Sequence, residues 1–136
     1  MPPSENPSLY VFDAACLIEL ERSRSLSIVA DLGERAIVPR RVEREVSKPG
    51  TLLERWLGQH RYAVKRFVPG SQEEQAYYEL TRDNGPRLGD GEAAAIAVAL
   101  NRGAVLVTDD RAAIEAAENL GIACMTTNEF LSAALL

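Results

Sequence analysis

A chain of 136 residues has room for one domain with a real core, and its net charge of −5 weighs against a simple basic nucleic-acid-binding module. A single histidine, His60, and two cysteines without a CxxC pair exclude the usual zinc sites and any nucleophile system that draws on several histidines. Metal chemistry here would need oxygen ligands, which points to magnesium or manganese.

The opening MPPSENPS has neither the basic region nor the apolar core of a secretory signal, and its prolines predict a short extended lead-in over residues 1–8. LYVF (9–12) reads as a strand that ends at Asp13. AACLIELERS follows with apolar residues at helical spacing, and LSIVADLGER (26–35) reads as a second helix. AIVP (36–39) is a short strand closed by proline. RRVEREVSK is a helix with Val42 and Val46 on one face, stopped by Lys48-Pro49-Gly50. TLLERWLGQH opens on a threonine cap and presents Leu52, Leu53, Trp56 and Leu57 as an apolar face, and YAVKRFVP (62–69) alternates enough for a third strand. SQEEQAYYELTRDNG has a serine cap with Glu74 three residues on, a capping-box pattern. LGDGEAAAIAVAL (88–100) opens the most apolar helix, with Asp90 in the capping position. AVLVT (104–108) is the clearest buried strand. RAAIEAAENLG is a helix, IACMT a fifth strand and NEFLSAALL a last short helix. No apolar run reaches the roughly 18 residues of a membrane span. The expectation is therefore a single cytoplasmic domain over 1–136, with reduced cysteines and no membrane partner.

Strands alternating with helices over short connections predict a three-layer α/β/α fold on a mostly parallel sheet of about five strands. Ligands of such folds sit beyond the carboxyl ends of the strands. Five acids map to that edge: Asp13 closes the first strand, Asp109 and Asp110 follow the fourth, and Asp90 and Glu92 begin the helix leading into the fourth. Glu45 lies in the helix after the second strand, beside its buried face. Each acid alone is accounted for by helix capping or solvation. Together they repel one another unless cations neutralise them. Carboxylates that converge without histidines suit octahedral, oxygen-seeking ions, and a pair of such ions can activate water and stabilise a leaving oxygen in phosphodiester hydrolysis.

With these motifs in order, the chain resembles the PIN-domain family, the fold of VapC-like toxin ribonucleases. The resemblance runs through YVFDAACLIEL, VPRRVEREV and GEAAAIAVALNRGAVLVTDD, and so covers most of the chain. It implies Asp13, Glu45, Glu92 and Asp110 as the catalytic acids, with Asp13, Glu92 and Asp110 as metal ligands; Glu43 is the rival for the second place. Asp90, Asp109 and Thr108 would support them. Two departures stand out. Glu92 replaces the commoner aspartate, and Ala15 stands where the family often has Asn, Ser or Thr, a polar neighbour for the metal site.

The function implied is a magnesium- or manganese-dependent endoribonuclease acting on RNA, the toxin partner of a small antitoxin protein, and a homodimer. Arg40, Arg41, Arg44 and Arg87 are the candidate RNA-binding cations, against the reading of an ordinary charged surface. Two alternatives stay open: a PIN-like binding or regulatory domain with weak catalysis, and another magnesium-dependent phosphoryl-transfer enzyme on the same architecture.

Overall fold

In the computed structural model, which describes residues 8–134, five short strands form one parallel sheet. The lead-in expected over residues 1–8 lies, Ser8 apart, outside the described residues. The strands are β1 (Tyr10–Phe12), β2 (Ala36–Pro39), β3 (Val64–Lys65), β4 (Val105–Val107) and β5 (Cys124–Met125), in the order β3-β2-β1-β4-β5. The register sets Val11 against Ile37 on one side and Leu106 on the other. The eight helices of the described residues are α1 (Ala14–Arg22), α2 (Leu26–Asp31), α3 (Arg40–Val46), α4 (Leu52–Gln59), α5 (Gln72–Asn84), α6 (Asp90–Arg102), α7 (Arg111–Asn119) and α8 (Thr127–Ala134).

Successive residues of a strand point to opposite faces, and the two cores follow that alternation. Val11, Ile37 and Leu106 face one layer, built from α5, α6 and α7. Phe12, Val38 and Val107 face the other, built from α1, α2, α3, α4 and α8. This is the three-layer α/β/α arrangement expected of the alternating pattern. Within the first layer α6 is buried continuously from Ala93 to Ala99. Its alanines keep the helix slim, so that α5 and α7 pack on either side of it over the middle of the sheet.

Three expectations are corrected. The helix predicted over 26–35 stops at Asp31, because Gly33 takes φ +58° and starts a separate 3₁₀ turn over Gly33–Arg35. The strand predicted over 62–69 shrinks to Val64–Lys65, since Arg61–Ala63 form a 3₁₀ turn and only Val64 and Lys65 pair, with the edge of β2. Asp90 is the first residue of α6 and not its cap. Gly89 holds the extended cap conformation instead, and its N–H donates to the Glu92 carboxylate at 2.7 Å. Among the described residues no helix is long and apolar enough to cross a membrane.

Candidate active site

The carboxyl ends of β1 and β4 lie side by side, because these two strands are neighbours at the centre of the sheet. Asp13 leaves β1 there and caps α1, accepting the Cys16 N–H at 2.8 Å. The Thr108 hydroxyl donates to its other oxygen. Only 2% of Asp13 is exposed, and burial raises its pKa above the ordinary range, with the charges of Asp109 and Asp110 adding to the effect. Asp110 leaves β4 and caps α7, accepting from the Ala113 N–H at 2.8 Å. Its own N–H donates to Thr108 Oγ1 at 3.1 Å. The fully buried Thr108 hydroxyl therefore ties the two aspartate junctions together.

Glu92 and Glu45 come from helices that start beyond the same edge. Glu92 sits in the first turn of α6. Burial, then the facing Asp110 carboxylate and the more distant Asp13, push its pKa up to about 7. Glu45 extends from the exposed side of α3 across to α6, where Oε1 accepts the Gly91 N–H at 2.8 Å. That approach needs a glycine: a Cβ at position 91 would lie 2.5 Å from Glu45 Oε1. Asp13, Glu45, Glu92 and Asp110 then line one cleft of about 320 Å³ with Asp109, Ala14, Ala15 and Gly89. At Ala15 the lining offers only a methyl group.

The remaining predicted residues fall elsewhere or do other work. Asp109 borders the cleft, but both its oxygens are engaged by Thr127, through the N–H at 2.8 Å and the hydroxyl at 2.7 Å. It thus fixes the start of α8. Thr127 is only 2% exposed, and reading the last helix from Asn128 passed over it. The TTNE stretch carried a usable signal, a Thr126–Glu129 capping box, in which Glu129 N donates to Thr126 Oγ1 at 3.1 Å and Thr126 N to Glu129 Oε1 at 2.9 Å. Asp90 does not line the cleft; it accepts from Arg41 at 3.0 Å and from the Tyr77 hydroxyl. Glu43 is buried in an ion-paired network with Arg40, at 2.8 Å, and Arg61. Of the two rival glutamates, Glu45 is the one at the cleft. Arg40, Arg41 and Arg44 border a neighbouring recess, whereas Arg87 stands apart, 3.7 Å from Glu115.

Among the described residues no lysine or arginine forms an ion pair with Asp13, Glu45, Glu92, Asp109 or Asp110. Nor do any three described His, Cys, Asp or Glu side chains converge closely enough, as they stand, to hold one ion. The chemistry of the donors nonetheless fits a hard divalent cation. All are carboxylates, their charge is uncompensated, and Glu45, Glu92 and Asp110 each give one oxygen to a backbone N–H, which leaves the other without a backbone donor.

Residues 9–135 match the protein-family model DUF3368, described as a PIN domain. No curated protein matches the chain. Several solved structures share its fold. A PilT N-terminus domain protein from Sulfolobus solfataricus has 18% identity, a TM-score of 0.63 and 93% coverage of both chains. VapBC-1 from nontypeable Haemophilus influenzae has 16% identity and a TM-score of 0.59, covering 88% of this chain and 98% of that one. VapBC2 from Rickettsia felis, solved with a DNA fragment from its promoter, has 12% identity and a TM-score of 0.59, covering 87% and 98%.

Proposed function

The chain belongs to the PIN-domain family, and on that premise we propose that it is a magnesium- or manganese-dependent endoribonuclease, the toxin of a toxin–antitoxin pair. The observation that carries this reading is the cleft itself, lined by four carboxylates from four separate segments, none of them ion-paired with a lysine or arginine among the described residues. Asp13, Glu92 and Asp110 are the residues that would hold the cation, and Glu45 would close the rim. When bound, the cation would lower the pKa of a water and offset charge on the leaving oxygen of a phosphodiester.

The rest is work for the chain's own side chains. Asp13 cannot swing away, because Cys16 N–H and the Thr108 hydroxyl hold one oxygen each. The Thr108 hydroxyl donates to Asp13 and accepts from Asp110 N–H, and so sets the spacing of the two aspartates. Glu92, with its pKa at about 7, holds a proton for part of the time at neutral pH and gives it up as positive charge arrives. Glu45, anchored on α6 through Gly91, keeps its carboxylate at the open side of the cleft where a polynucleotide strand would enter.

The deciding experiment is cleavage of structured RNAs with magnesium or manganese, wild type against Asp13→Asn. Wild type cleaves and the variant, still folded by circular dichroism, does not. Full activity in Asp13→Asn ends the proposal. A second reading, a PIN-like binding or regulatory domain, is favoured by the apolar Ala15 in the lining and by carboxylates that hold backbone N–H groups. A wild type that binds RNA and cleaves none of it supports that reading. A small antitoxin and a second copy of the chain are the partners proposed, and the apolar surface that supports this reading is Leu52, 57% exposed next to a groove bordered by Leu26 and Trp56. Size-exclusion chromatography and the neighbouring reading frame test them.

A further inference from the structure

Five basic side chains of this acidic protein line one recess. Arg40, Arg41 and Arg44 from α3 meet Lys65 at the end of β3 and Arg66 just after it, around about 160 Å³ of space. The side walls are apolar, from Pro39, Phe67 and Ala94. Arg40 is occupied by Glu43 and Arg41 by Asp90, yet among the described residues Arg44, Lys65 and Arg66 pair with no acid. The one acid in the lining, Glu74, accepts the Gly70 N–H at 2.9 Å. Arg41 is also pre-oriented, with its guanidinium 4.5 Å from the centre of the Tyr77 ring and bound to Asp90, itself held by the Tyr77 hydroxyl.

Cations gathered beside apolar walls repel one another until an anion joins them. The recess also shares two elements with the acidic cleft. Arg44 precedes Glu45 on α3, and Ala94 follows Glu92 by two residues on α6. We infer that this recess is a phosphate subsite for the RNA strand, taking a non-reacting backbone phosphate next to the one presented to the carboxylates, with Lys65 and Arg66 as contacts beyond the α3 arginines. A substrate anchored there would be positioned over a cleft that by itself repels it, which is how binding away from the reacting bond assists the chemical step. Arg87, which lines a separate hollow with Glu115, has no part in it.

The inference rests on the ribonuclease reading for the identity of the ligand, so its test avoids catalysis. Binding of a fluorescent single-stranded RNA of about a dozen nucleotides is followed by anisotropy in chelator, as a function of salt, for wild type, Arg44→Ala and the double variant Lys65→Ala/Arg66→Ala. Loss of that one phosphate contact flattens the slope of log K against log salt by about 0.7, and the double variant binds at least roughly tenfold more weakly at low salt. Arg66→Glu, at an exposed position, repeats the test should the double variant melt early. Unchanged affinity and slope in these variants overturn the inference, as does equally tight binding of a polyglutamate of matching charge. RNA binding that depends on the recess in a protein without nuclease activity sinks the catalytic reading and leaves this one standing.

Discussion

Replacing Gly91 by alanine should separate stability from activity. The residue lies in the first turn of α6 with ordinary helical backbone, and it is buried under the Glu45 carboxylate. Glycine to alanine in a helix normally stabilises by about 0.5–1 kcal/mol through the entropy of the unfolded chain. Against that gain, the new Cβ would stand 2.5 Å from Glu45 Oε1, so the carboxylate must withdraw by about 0.9 Å to reach ordinary contact at 3.4 Å. Glu45 is long and exposed, so it moves readily, and what is lost is its charge-assisted hydrogen bond, worth about 1.5–3 kcal/mol when well shielded and less here. The two effects offset to within about 1 kcal/mol, and the melting temperature should stay near wild type. Activity should not. A displacement near 1 Å of a group in the reacting constellation costs on the order of 10²-fold. Urea denaturation and cleavage are measured on Gly91→Ala, Glu45→Ala and the double variant. Once Glu45 is gone, the alanine at 91 should lower the rate no further and show its full helix-stabilising gain. Wild-type activity in Gly91→Ala, or equal further loss in the Glu45→Ala background, refutes the role given to this contact.

Thr108→Val removes a buried hydroxyl that serves both aspartates and leaves Asp13 short of a donor; denaturant titration should show a loss of about 1–3 kcal/mol, and an unchanged midpoint would contradict the bridge. Glu43→Gln weakens the network with Arg40 and Arg61 and should lower stability while kcat holds, whereas Glu45→Gln should do the reverse; the opposite pattern would return Glu43 to the site. Glu92 has its pKa at about 7 in the fold against an ordinary 4.5. The protonated form is therefore the one the metal-free fold favours, and that stability is complete below about pH 4.5 and lost as the pH rises through about 7. Thermal melts in chelator should fall across that window, Glu92→Gln should flatten the fall, and magnesium should raise the midpoint more at the alkaline end. A slope unchanged by Glu92→Gln would place the titrating group elsewhere.

The parallel sheet, its alternation with helices and the carboxylate edge were legible because each depends on local pattern. AVLVT could only be a buried strand, and a strand ending in Asp before an apolar helix put Asp13 where it stands. Two elements were misread where one residue outweighed the pattern around it. Gly33 broke a convincing helical periodicity by adopting a positive φ, and β3 shortened because Arg61–Ala63 wind into a 3₁₀ turn before it and β2 stops at Pro39 opposite its far end. The partition between Glu43 and Glu45 was harder to read, since both border the buried face of α3 and the choice depends on Arg61 and Gly91, which arrive from remote segments. Lys65 and Arg66 were hidden for a related reason. Within a stretch read as a long strand they look like alternating surface charges, and only the short β3 turns them toward the arginines of α3.

The central position of β1 bears on how the protein comes into being. Its two partners are β2, which follows within about one helical hairpin, and β4, whose Val105–Val107 lie some two-thirds of the chain later. During synthesis β1 must wait with one edge unpaired until that distant segment emerges, and Asp13 waits with it for Thr108. Closing so long a loop is entropically costly, so the pairing of β1 with β4 forms late and slowly. No truncated product ending before residue 105 can assemble the cleft, whatever else it folds. The carboxylates become a site only once the segment through Asp110 has been made, so shorter ribosome-bound chains carry Asp13 and Glu45 without the activity proposed for the full set.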